Sequence, residues 1–241
     1  MAYNPEKTTW LNPNIEYLFN DEIIEYDMRD AGFSLIKQFK LLPPEKIREL
    51  ERLDKGLERH YKVGMIQRDD KEFSKALSNK FAEVRAIFIQ YNKLSDSHIV
   101  SVKKDAFFTT AECSRLKFGQ VEFAVKHRYT SYIIFPNIHN IEIYYSSTGV
   151  DIKGMSENSV NKHRLYMIEF LRNVIEMLET HNSRIKRYLN EFIDEYKSGA
   201  LEEPFYLEFN NNSSNINPLF NYQNVIVPIV QITLGEMKRG G

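Results

Sequence analysis

The sequence predicts an α+β fold with a mostly antiparallel sheet, and three observations carry that reading. Strand-like runs of β-branched and aromatic residues cluster between residues 98 and 155. Segments of helical period at 44–60 and 71–91 precede them, and a third helical region runs from about 157 to 198. A single strand-like run, residues 22–28, comes earlier. Strands and helices are therefore grouped in blocks, without the regular alternation of a parallel α/β protein.

The chain has 241 residues, of which 42% are apolar and 13% aromatic, enough for one compact body with a real core and unlike a disordered chain. The formal net charge of −1 excludes nucleic-acid binding through bulk charge; such a role needs a local basic face. The single cysteine, Cys113, rules out an internal disulfide framework and fits a reducing compartment. No His or Gly-rich context supports a catalytic role for it. Neither an apolar run of membrane-spanning length nor a signal-peptide pattern is present, so a soluble cytoplasmic protein without membrane contact is expected.

Residues 1–20, with Trp10 and Pro13, read as an irregular arm, and EIIEYDM (22–28) as a short strand. FSLIKQFKLL has helical pattern and stops at Pro43-Pro44. Residues 44–60 form a strongly charged helix with Pro44 in its first turn and a narrow stripe of Ile47, Leu50, Leu53 and Leu57. YKVGMIQRDD is expected to turn the chain at Gly64. Over 71–91, Phe73, Leu77, Phe81, Val84 and Phe88 fall on one helical face, and the two helices together predict an antiparallel hairpin.

The β-rich block comprises HIVSVKK, AFFTTA, FGQVEFAV, YTSYIIF, IEIYYSS and VDIKGM. Helical periodicity then runs through RLYMIEFLRNVIEMLE and IKRYLNEFIDEYK to Gly199. A polar loop, NNNSSNINP, and an apolar run, NVIVPIVQITL, complete the tail; Pro228 restricts the latter to an edge or interrupted strand.

The chemistry centres on HIVSVKKDAFF (98–108). A lone carboxylate, Asp105, follows Lys103 and Lys104 between two strands, and no glycine follows it as in the usual Asp-Gly hairpin tip. Asp27, at the end of the first strand, is its candidate partner. Carboxylates on adjacent strand ends can hold Mg²⁺, which takes oxygen ligands and leaves positions open for phosphate. Asp27 also suits the N-cap of the next helix, as does Asp30. Lys75 and Asn79 lie one turn apart, away from the Phe73/Leu77/Phe81 stripe. A lysine there can hold a triphosphate, or the pair simply solvates a helix face.

These segments, over about 20–200, resemble the palm and fingers of a B-family DNA polymerase. The family's first motif, an Asp followed three residues on by Ser-Leu-Tyr-Pro-Ser, is similar to Asp27 and then Asp30-Ala31-Gly32-Phe33-Ser34. Its fingers motif, Lys, three residues, Asn-Ser, resembles Lys75 to Asn79. Its hairpin motif, Asp-Thr-Asp, has the counterpart Lys103-Lys104-Asp105, and its Lys-Lys-x-Tyr resembles Lys126-His127-Arg128-Tyr129. VDIKGM, with Lys153, resembles the lead into the thumb. The shared order of the motifs carries the resemblance.

The resemblance implies a polymerase-palm-like sheet (21–42 and 93–155), a fingers-like helical hairpin (43–92), thumb-like helices (156–200) and a C-terminal tail (201–241) in a single body. It implies template-dependent nucleotidyl transfer, with Asp27 and Asp105 holding Mg²⁺ or Mn²⁺. Lys75, Asn79 and Arg68 would bind the nucleotide, with Arg48 and Arg52 as alternatives to Arg68. Lys103, Lys104, Lys126, Arg128, Tyr129 and Lys153 would contact a DNA or RNA template-primer. A phage or mobile-element setting, and a protein partner supplying missing domains, belong to the same reading.

The departures are specific. Lys103 replaces the first hairpin Asp, so one metal ligand is lost. The tyrosine that excludes ribonucleotides falls at Gly32, so both sugar classes are expected to enter. Ser-x-Tyr-Gly after the fingers Asn is absent, and no exonuclease carboxylate set is present. A non-catalytic nucleic-acid-binding or replication-accessory protein with the same fold, and an interaction protein of unrelated fold, are the competing readings.

Overall fold

A computed structural model describes residues 2–54, 56–135, 141–154, 167–201, 225 and 227–239. It is an α+β protein with seven α-helices among the described residues and antiparallel strand pairing. Two compact units divide the chain: Met1–Ile15 with Glu22–Arg128, and Glu16–Asp21 with Tyr129–Gly241.

In the first unit, β1 (Trp10–Leu11), β3 (Ile99–Val102), β4 (Ala106–Thr109), β2 (Tyr17–Met28) and β6 (Val121–Phe135) lie in that order, and β5 (Lys117–Phe118) pairs with β6. β2 and β6 are long enough to run on into the second unit. The helices are α1 (Ala31–Phe39), α2 (Pro44–Arg52), α3 (Leu57–Asp69) and α4 (Lys71–Asn92). Asp70 caps α4 by accepting from the Phe73 N–H at 2.9 Å.

The predicted stripe of α4 is its buried face: Phe73, Leu77, Phe81, Val84 and Phe88 are all buried. Phe88 is the hub of an aromatic cluster, with ring centroids 4.3 Å from Phe123, 4.7 Å from Phe107 and 5.8 Å from Tyr26. Cys113 is buried beside it; its N–H donates to the Tyr26 hydroxyl at 2.8 Å, and burial pushes the thiol up to about 11, leaving it neutral and unreactive at pH 7.

β2 starts at Tyr17, inside the stretch expected as an irregular arm, which also holds β1; three further sequence expectations are corrected in this fold. The charged helix expected over 44–60 is two helices, α2 ending at Arg52 and α3 starting at Leu57; α3 runs straight through Gly64, where the turn was expected. The reason is Arg59, whose guanidinium donates to the main-chain oxygens of Leu50, Glu51 and Leu53 and so satisfies the open end of α2. Gly56, at φ 152°, makes the corner. The helical hairpin is therefore α3–α4.

FGQVEFAV and YTSYIIF, expected as separate strands, belong largely to the one strand β6, its polar middle included. Lys126 and Arg128 in that middle pair with carboxylates of β2, Lys126 with Glu25 and Asp27, Arg128 with Glu22, which holds the exposed stretch in register. The third correction is the tail run NVIVPIVQITL, expected as an edge strand. It contains α7 (Val227–Arg239). Pro228 sits in its first turn, where a missing N–H costs nothing. Buried Val225, Ile229 and Thr233 recur every four residues, a helical period that β-branched composition obscures.

The second unit orders β2, β6, β7 (Ile141–Ser146) and β8 (Gly149–Lys153) side by side. Ile133, Ile143 and Ile152 pair across β6, β7 and β8. Buried Phe170, Leu171, Val174 and Ile175 of α5 (Met167–Glu179), and Ile185, Leu189 and Phe192 of α6 (Ile185–Ser198), complete the core with Ile133, Phe135 and Ile143. Gly199, at φ 74°, ends α6 where helical periodicity was expected to stop. The predicted loop NNNSSNINP and the start of the third helical region, before residue 167, lie outside the described residues.

Candidate active site

β3 and β4 form a tight hairpin. The Lys103 N–H donates to the Ala106 carbonyl at 2.8 Å, and Asp105 sits in the turn. β4 pairs with β2 so that Asp27 stands opposite Ala106, and the Met28 N–H donates to the Asp105 carbonyl at 2.9 Å. Asp27 and Asp105 are thereby neighbours at one end of the sheet. Burial, and next the Asp27 charge, push the Asp105 carboxyl above the ordinary Asp range.

Asp27 lies within β2 and does not cap α1. Asp30 occupies the N-cap position in left-handed conformation (φ 46°) and makes no side-chain cap. Its carboxylate accepts from Arg59 Nη1 at 2.5 Å. Glu25 precedes Asp27 by two residues, hence on the same face of β2, and is only 2% exposed. Lys126 Nζ lies 3.5 Å from Glu25 and 3.3 Å from Asp27. Burial pulls the Lys126 ammonium down, but the two carboxylates together outweigh it and raise it.

Beside Asp105 lies a cavity of about 160 Å³. It is lined by Asp30–Phe33 at the start of α1, by Arg59, His60, Val63 and Gln67 of α3, by Phe81 of α4, and by Lys104 and Asp105. Lys104 Nζ sits 4.9 Å from the Phe81 ring centroid. His60 Nε2 lies 3.9 Å from Asp30. Gly32 lets α1 approach α3 closely: a Cβ there would stand 3.2 Å from a Val63 methyl. The first turn of α1, which has no side-chain cap, lies at this end of the cavity.

Arg59 is 4% exposed, and its Nε, Nη1 and Nη2 all donate, to Asp30 and to the end of α2. Arg59→Ala is expected to cost about 3–5 kcal/mol, because it strands Asp30 and three main-chain oxygens; urea unfolding reads the loss.

The remaining sequence candidates lie elsewhere. Lys75 and Asn79 are exposed on α4 and do not line the cavity. Arg68 is exposed and pairs with Asp69, while its neighbour Gln67 lines the cavity. Arg48 and Arg52 are exposed on α2. Lys103 is half-buried in the hairpin. Arg128 bridges Glu22 and Glu112. In the second unit, Tyr129 is buried, donates to Asp151 at 2.6 Å and packs on Tyr144, and Lys153 stands opposite Glu142 in β8.

Sequence reasoning missed Glu25, His60, Gln67 and Arg85. Glu25 and Arg85 had readable signals. Glu25 shares the strand face of Asp27, and Arg85 continues the Phe73, Leu77, Phe81 series at four-residue spacing, a charge on an apolar stripe.

Fold and site together define an α+β protein that carries a carboxylate pair beside a small polar cavity. The chain belongs to the bacteriophage PBS1 gene 130 protein family, whose model matches residues 2–234. No curated protein matches it. Among the described residues, no helix is long and apolar enough to cross a membrane.

Proposed function

We propose that this phage-family protein carries out template-dependent nucleotidyl transfer from a minimal polymerase-like palm. The observation that carries the reading is the pairing of β2 with β4, which sets Asp27 and Asp105 side by side. The residues fit a divalent cation of the Mg²⁺ or Mn²⁺ class: both donors are hard carboxylate oxygens, and their mutual repulsion is what a cation between them would relieve. Such an ion, when bound, supplies charge stabilisation to the attacking and leaving oxygens of phosphoryl displacement.

The chain's own residues would do the rest. The start of α1 offers backbone N–H groups to a triphosphate, and Lys104 and His60 flank it with side-chain donors. Phe33 and Phe81 give the cavity apolar walls, and Gly32 leaves the sugar unobstructed by a side chain. Lys103 of the same hairpin would contact the backbone of a DNA or RNA template-primer, which such a lysine positions without reading sequence. The site-level test is equilibrium binding of nucleoside triphosphate with and without Mn²⁺. Cation-dependent binding that His60→Ala and Lys104→Ala weaken about tenfold or more supports the reading; cation-independent binding, or none, opposes it.

Lys126 bears directly on that test, because its ammonium already neutralises Asp27 and Glu25. Lys126→Met is expected to tighten Mn²⁺ binding several-fold in a titration monitored by electron paramagnetic resonance. The same ion pair, with Lys103 in place of a hairpin carboxylate, favours a second reading: a catalytically inactive palm that binds nucleic acid as a replication-accessory protein. Its mark is nucleic-acid binding that falls steeply with salt and needs no divalent cation.

A further inference from the structure

Arg85 lies on the buried face of α4 and is 1% exposed. A buried guanidinium is costly unless its surroundings answer its charge and its donors. Here Nε and Nη1 donate to two main-chain oxygens from segments far apart in sequence. Nε donates to the Pro5 carbonyl at 2.9 Å and Nη1 to the Lys104 carbonyl at 2.8 Å. Nη2 is buried and has no hydrogen-bond partner among the described residues.

The Lys104 carbonyl belongs to the peptide that enters Asp105. The peptide that leaves Asp105 is gripped too, by the Met28 N–H at 2.9 Å. Both peptides that flank this carboxylate are therefore anchored, one by β2 and one by Arg85.

We infer that Arg85 is a positioning residue: its planar fork ties the turn that carries Asp105 to α4 and to the N-terminal arm, and so fixes where that carboxylate sits. A guanidinium suits the task because it reaches two oxygens in fixed directions, whereas a lysine is a single point donor. The catalytic consequence rests on the nucleotidyl-transfer reading; the mechanical one does not.

The test uses the full chain with Arg85→Met and Arg85→Lys. Amide hydrogen exchange is followed at Met28 and Lys103, whose hydrogen bonds hold the turn, with Ile143 in the second unit as the control. Arg85→Met is expected to speed exchange at Met28 and Lys103 about tenfold or more and to leave Ile143 unchanged, with Arg85→Lys in between. In primer extension, kcat is expected to fall about tenfold or more while KM for the triphosphate stays near wild type, with partial rescue in Arg85→Lys. Should Arg85→Met not fold, Arg85→Lys carries the same comparison at smaller amplitude. Unchanged exchange at the turn overturns the inference, and so does an equal rise at all three amides, which marks general destabilisation. Locally faster exchange in a chain whose wild type extends no primer would keep the positioning role and remove the nucleotidyl-transfer reading.

Discussion

Asp105→Asn is expected to lower primer extension by about a thousandfold or more, since it withdraws a hard donor and a charge worth several kcal/mol to the transition state. The fold is expected to tolerate the change. Asp105 is held above the ordinary carboxylate range by burial first and by the Asp27 charge second. A raised acid contributes stability that is full below its unfolded value and is lost as pH rises through its folded value. In its ionised form Asp105 is thus a cost to the fold, and the neutral amide removes it. The variant should therefore be inactive and, without divalent cation, at least as resistant to urea as the wild type. Stability lost together with activity would mean that Asp105 serves the turn and not the chemistry.

Phe88→Ala has the largest expected effect on stability. The ring is fully buried and touches Tyr26 of β2, Phe107 of β4, and Phe123 of β6, the three strands that carry Asp27, flank Asp105 and carry Lys126. Truncation removes a large buried side chain and opens a cavity that well-packed neighbours close only in part. The expected loss is about 3–5 kcal/mol, with the aromatic pairs adding about 1 kcal/mol. Urea unfolding should show a lower midpoint at an unchanged slope. A loss below about 1.5 kcal/mol would mean that the cluster repacks freely.

How far the sequence could be read depended on which interactions are local. The α4 stripe, the β3–β4 hairpin and the end of α6 at Gly199 are set by periodicity and turn chemistry within a few residues, and all three were legible. The break between α2 and α3 was not, because it depends on Arg59 folding back onto Leu50, Glu51 and Leu53. Continuity of β6 through Lys126 and Arg128 depends on carboxylates about a hundred positions away. In the tail, β-branched composition masked a four-residue period.

The candidate site divides in the same way. Asp27 and Asp105 could be proposed as partners because strand ends and hairpins are local features. The cavity could not be drawn, since it joins α1, α3, α4 and the hairpin. A spacing motif pointed to Lys75 and Asn79, which the helix phase turns outwards, while Gln67 and His60 on α3 carry no motif at all.

The most direct measurement is extension of a labelled primer on DNA and RNA templates by the purified wild-type chain, with Mg²⁺ or Mn²⁺ and with deoxy- and ribonucleotides offered separately. Nucleotidyl transfer predicts template-directed extension that a chelator abolishes, with both sugar classes accepted because Gly32 offers no side chain against the ribose 2′-hydroxyl. No extension on any template, with salt-sensitive nucleic-acid binding intact, would contradict it and leave an inactive palm that positions nucleic acid for another protein.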